Sequence, residues 1–143
     1  MVDLDLVAAK LAELGDRTAR VRRHRPPSAD ALARDRDALD LVSFNLMLSV
    51  QCCLDVASHL IADEGWPPAR DLAGAFRRLH EQGVLDAATA SALGRAAGLR
   101  NVVAHVYAEV DPALLHDAAT QGLEDLERFA RQVAAWARGR QSS

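Results

Sequence analysis

The sequence predicts an all-α fold, a four- to five-helix up-and-down bundle, on three observations. Half of the 143 residues are hydrophobic but only 4% are aromatic, so the core has to be built mainly from Leu, Val and Ala. Ala and Leu are strong helix formers, and the β-branched and aromatic residues that strands favour are sparse. Apolar residues recur at three- and four-residue intervals, the period of one helix face, between short turns rich in Pro and Gly. A chain of this length is the usual size of one domain and can bury a real core, so residues 1–143 are read as a single helical domain.

The first helix is expected from residue 2 to about 24, with Leu4, Val7, Leu11, Leu14, Ala19 and Val21 on its inner stripe. Its tail carries Arg17, Arg20, Arg22, Arg23, His24 and Arg25. Cations at a helix C-terminus are favoured by the dipole, and a basic patch for RNA backbone is the alternative. Pro26-Pro27 stops this helix and Ser28 caps the next. The second helix is expected from about Ala29 to Ala62. It has one apolar stripe through Leu39, Val42, Leu46, Val50, Cys53, Ala57 and Leu60, and another through Leu41, Phe44 and Leu48. A helix apolar over more than half its circumference belongs at the centre. Gly65-Trp66-Pro67-Pro68 makes a turn, and a short helix follows with Leu72, Ala75, Phe76 and Leu79 inward and Gly83 as its stop. Asp86 caps a fourth helix, in which Gly94 and Gly98 leave a flat stripe for close approach. Asp111-Pro112 opens the last helix, with Leu115, Leu123, Leu126, Phe129, Val133 and Trp136, fraying at Gly139.

The formal net charge of -3 argues against a protein that coats nucleic acid non-specifically, while leaving room for a local basic groove. The adjacent Cys52 and Cys53 point about 100° apart on a helix and are poorly placed to bridge each other. The start of the chain is acidic and periodic, unlike a signal peptide. The apolar run from Leu46 to Leu60 is broken by Ser49, Gln51, Asp55 and His59, too polar and short for a bilayer span. No membrane association and a cytoplasmic location are therefore expected.

Two groups of residues could carry chemistry. Asp55 and His59 are four apart, one turn above each other, and are expected to form a hydrogen-bonded pair that locks the bundle or supports an active site. Cys52 nearby suggests a metal, but zinc usually requires three or four ligands, and the spacing does not supply them. The second group is Leu99-Arg100-Asn101-Val102-Val103-Ala104-His105-Val106-Tyr107. An arginine can grip a phosphate with a planar fork, and a histidine can move protons near neutrality. On an unbroken helix Arg100 and Tyr107 align, while His105 lies about 140° from Arg100. Either the helix ends near Ala104 and turns His105 back, or His105 meets Arg100 of a second molecule.

Arg100, His105 and Tyr107 read as R-x4-H-x-Y, which resembles the motif of HEPN domains, specifically the HepT-like toxin branch. The likeness extends to Gln51 through Ile61, to Glu64, Gly65 and Pro67, and to Leu72, Phe76, Leu79, Gly83 and Leu85. It covers residues 35 to 110 in recognisable form; Leu99 stands where the family pattern has an aromatic. The resemblance implies a metal-independent endoribonuclease toxin with no cofactor, a homodimer whose two R-x4-H segments line one cleft. His105 would move the proton, Arg100 would stabilise charge on the phosphate, and Asn101 would orient either. It further implies a minimal nucleotidyltransferase (MNT) antitoxin that adenylylates Tyr107. The alternatives are a non-catalytic HEPN module that dimerises and binds the nucleotidyltransferase or a nucleotide, and an unrelated helical scaffold.

Overall fold

The computed structural model describes residues 2–105 and 111–141, with side chains for residues 2–98 and 111–141. Among the described residues there are six helices and no strand: α1 (Leu4–His24), α2 (Ala29–Arg34), α3 (Arg36–Glu64), α4 (Leu72–Glu81), α5 (Ala87–His105) and α6 (Pro112–Gln141).

Helix starts are capped by side chains, at Ser28, Asp86 and Asp111 as the sequence marks and at Asp3 and Asp71 in addition. Asp3 accepts from the Leu6 N–H at 3.1 Å, Ser28 from Ala31 at 3.1 Å and Asp71 from Gly74 at 2.6 Å. Asp86 accepts from Thr89 at 2.7 Å and Asp111 from Ala113 at 2.9 Å. The stops are equally local. Arg25 closes α1 with its N–H on the Val21 carbonyl, and Gly65 (φ 70°) and Gly83 (φ 78°) take the left-handed conformation that favours glycine. The last helix continues past Gly139 to Gln141.

The long second helix expected from the sequence is two helices. Asp35 leaves the helical region (φ -119°, ψ 94°), ends α2, and accepts from the Ala38 N–H at 3.0 Å to start α3. An aspartate that satisfies an orphan N–H gives the chain an inexpensive place to break, and the hydrophobic period alone does not reveal it. Two inward positions also change. Thr18, 6% exposed and bonded to the Gly15 carbonyl, takes the place on the α1 stripe expected of Ala19, and Leu72 is 36% exposed.

α3 lies at the centre, touching all five other helices. Its length and composition would allow it to cross a membrane, contrary to the expectation, yet most of the apolar stretch is buried inside the protein, as in a core helix. Buried residues from all six helices join one cluster, among them Val21, Leu32, Leu60, Phe76, Leu93 and Phe129. Phe76 of α4 and Phe129 of α6 meet edge to face with centroids 5.9 Å apart, and Trp66 and Trp136 do so at 6.0 Å where α3 ends. Gly94 lets α4 come close: a Cβ there would lie 3.4 Å from that of Ala73.

Candidate active site

α5 carries the segment singled out in the sequence, and its two ends are set by different neighbours. At its start the Asp86 carboxylate accepts from the Gln132 amide at 2.8 Å, while the Asp86 N–H donates to Gln132 Oε1 at 3.0 Å. Arg128 Nε donates to Thr89 Oγ1 at 2.8 Å and its Nη2 to Asp125 at 2.7 Å. Hydrogen bonds from Thr89, side chain first and then backbone, and from Gln132 hold the Asp86 carboxyl below its usual range. This clamp joins the first turn of α5 to the middle of α6 and fixes how α5 is rotated. Since α6 runs antiparallel to α5, the end of α5 lies where α6 begins.

Arg100, Asn101 and His105 all fall within α5, whose described backbone is helical through His105. Positions 100 and 105 are therefore about 140° apart around one helix axis. The side chains of Arg100, Asn101 and His105 lie outside the described residues, as does Tyr107 altogether. One to two turns before them, α5 borders a groove of about 340 Å³ shared with α3 and α6. Met47, Val50, Ala92 and Ala96 form apolar walls, with Arg95 and Gln121 among the polar residues lining it. Leu114, at the start of α6, lines the same groove and is 58% exposed.

The expected Asp55–His59 bond is replaced by other partners. Asp55 accepts from Gln51 Nε2 at 2.8 Å and from Lys10 Nζ of α1 at 3.3 Å, which raises the lysine above its ordinary value. His59 Nε2 lies 3.0 Å from Asp63 Oδ2, within ion-pair range but off the line a ring N–H needs, so that buried nitrogen has no aligned hydrogen bond. The i,i+4 register that suggested the pair is real. Gln51 and Asp63, one turn to either side, use it instead.

Cys52 is buried beside α1, and desolvation first, then the Glu13 carboxylate, pushes its thiol up to about 11. Burial carries Cys53 well above its ordinary value. Neither thiol ionises near neutrality, so both should resist iodoacetamide at pH 7.5 in the folded protein and react once it is denatured. Intact mass before and after denaturation checks this, and rapid native alkylation of either would refute it.

Arg17, which the sequence placed only in a basic run, is half-buried between α1 and α3. It donates from Nη1 to Asn45 Oδ1 at 3.2 Å and lies over the Phe44 ring at 6.0 Å. No local pattern marks this contact, because 28 residues separate the two partners of the hydrogen bond.

Comparison with known proteins adds to this geometry. The family described as "Ribonuclease HepT-like" matches residues 14–133. The mRNA nuclease HepT of Shewanella oneidensis is 25% identical over 96 residues, 67% of this chain and 72% of its own length. Among solved structures, the tri-AMPylated Shewanella oneidensis HEPN toxin in complex with MNT antitoxin superposes with a TM-score of 0.83 at 22% identity, covering 94% of this chain and 99% of that one. YutE of Bacillus subtilis, a cytosolic protein of unknown function, superposes with a TM-score of 0.85 at 13% identity, covering 97% and 93%. At these identities the superpositions establish the fold.

Proposed function

The chain belongs to the HepT-like ribonuclease family, and from that premise we propose that it is a metal-independent endoribonuclease, the toxin of a toxin–antitoxin pair, acting in the cytoplasm. The observation that carries this is the R-x4-H-x-Y spacing of Arg100, His105 and Tyr107, with Arg100 and His105 in the last turns of α5, inside a sequence that matches the family over residues 14–133. RNA holds its own nucleophile in the 2′-hydroxyl, so cleavage needs a base, an acid and a cation rather than a bound metal. His105 takes the 2′-proton, the oxygen attacks phosphorus, and the 5′-oxygen leaves with a proton returned to it. Arg100 stabilises charge growing on the phosphate oxygens, and Asn101 orients the histidine or the phosphate.

A homodimer fits the helix register. With positions 100 and 105 on different sides of one continuous helix, an Arg100 and a His105 from two copies can face the same phosphate where one copy cannot. Phe44, 52% exposed on α3, and Leu114 on α6 are apolar surface toward the same end of the bundle that a second copy would cover. The partner that silences the enzyme is an MNT-type nucleotidyltransferase. Adenylylation of Tyr107 puts negative charge and bulk where an RNA phosphate must sit, which excludes substrate.

Two measurements test these assignments. Cleavage of RNA by the purified protein should persist in EDTA; cleavage abolished by EDTA would refute the metal-free route. Co-expression with the nucleotidyltransferase should raise the intact mass by multiples of AMP and lose that increment in Tyr107→Phe. An unchanged increment in the variant would move the modification elsewhere.

A further inference from the structure

The basic tail of α1 takes no part in the chemistry above. Residues 17–25 hold five arginines and no acidic residue, in a chain whose net charge is -3. The helix dipole accounts for cations in the last turn of α1. It does not account for Arg131, which lies inside α6 and faces the same groove. That groove runs between α1 and α6 and encloses about 520 Å³, with Gly15 and Ala19 on one side and Arg22, Arg23, Glu127 and Arg131 around them. A Cβ added at Gly15 would meet nothing within 4 Å, so the groove is open there. Arg22 pairs with Glu127, Arg20 with Asp16, and Arg25 donates to the Ala119 carbonyl at 2.6 Å. Among the described residues no carboxylate lies within ion-pair range of Arg23 or Arg131.

The tail also ends in a telling place. The Arg25–Ala119 bond, and the His116 ring nitrogen 3.0 Å from the Pro26 carbonyl, hold it beside the start of α6. This is the end of the bundle at which α5 finishes. We propose that the α1–α6 groove is a second phosphate-binding track for the RNA strand, in which Arg23 and Arg131 each hold a backbone phosphate away from the bond being cut. The proposal rests on the ribonuclease assignment. A chain of net charge -3 offers a polyanion little overall attraction, so positive charge has to be concentrated where the strand runs. Two guanidinium groups around an open groove, without ion-pair partners among the described residues, supply bidentate phosphate contacts at little cost in broken ion pairs.

The test uses the full-length protein in the His105→Ala background, which keeps the probe intact, and a labelled mixed-sequence single-stranded RNA. Fluorescence anisotropy across a salt series compares that background with the same protein carrying Arg23→Ala and Arg131→Ala. The substitutions should weaken binding by about tenfold or more. They should flatten the slope of log K against log salt by roughly 1.4, about 0.7 for each phosphate contact on a single strand. The melting temperature should not move, since neither side chain has an ion-pair partner among the described residues. Equal affinity and slope, with wild-type protein still cleaving RNA, would overturn the groove and leave the nuclease assignment standing. Wild-type protein that neither binds nor cleaves RNA would overturn both. Unchanged RNA affinity together with lost co-purification of the nucleotidyltransferase would make these arginines a protein interface and likewise overturn the proposal.

Discussion

Replacing His105 with alanine should lower RNA cleavage by about 10²–10⁴-fold, the usual contribution of one positioned proton-transfer group. The loss should fall on kcat, with RNA binding little changed, because a proton shuttle acts on the transition state rather than on the bound strand. Arg100→Ala should reduce both turnover and affinity, and Arg100→Lys should recover only part of either, since lysine keeps the charge but not the fork. In cells, expression of the wild-type chain alone should arrest growth, and both alanine variants should relieve the arrest. If both variants cleave RNA like the wild type, the R-x4-H segment is not the active site.

The largest effect on stability should come from Phe129→Ala. Phe129 is 0% exposed and packs edge to face on Phe76, so the truncation removes transfer energy, opens a cavity and deletes an aromatic pair. Together these cost about 3–5 kcal/mol, a large share of the roughly 5–15 kcal/mol that holds a domain folded. A fall in melting temperature on the order of 10 °C is expected for a chain of this size. Phe76→Ala should cost a similar amount, and the double variant less than the sum, because each single change already breaks the shared contact. Strictly additive losses would mean that the two rings contribute independently.

The helices were legible in the sequence wherever a local rule acts alone. Ser28, Asp86, Asp111, Gly65 and Gly83 sit where cap and stop chemistry places them, and each is seen doing that work. Errors arose where two local rules compete. Asp35 lies in a stretch whose apolar period continues through it, and the cap prevailed over the period. Asp55 and His59 have the correct spacing for each other, but Gln51, Lys10 and Asp63 are equally near, and spacing does not rank partners. Contacts between distant segments, such as Arg17 with Asn45 or Arg25 with Ala119, left no trace in the sequence, because nothing local encodes which helix faces which. The candidate site was legible as a motif and as a helix position. The pairing across two copies that we propose rests on a register argument on α5 rather than on any one residue.

The seam between α1 and α6 bears on the order in which the protein assembles. Arg22 meets Glu127 across 105 positions of sequence, and Arg25 reaches Ala119 across 94. By contrast, α4 and α5 are neighbours in sequence and pack against each other closely. Chain-closure entropy grows with the logarithm of the intervening length, so the α4–α5 hairpin is the inexpensive first step and docking of α6 on α1 the late one. Until that last step, the buried Val7, Leu14 and Val21 of α1 and Leu123, Phe129 and Val133 of α6, which belong to one cluster, remain apart. The core that α1 and α6 share is therefore sealed only at the final closure.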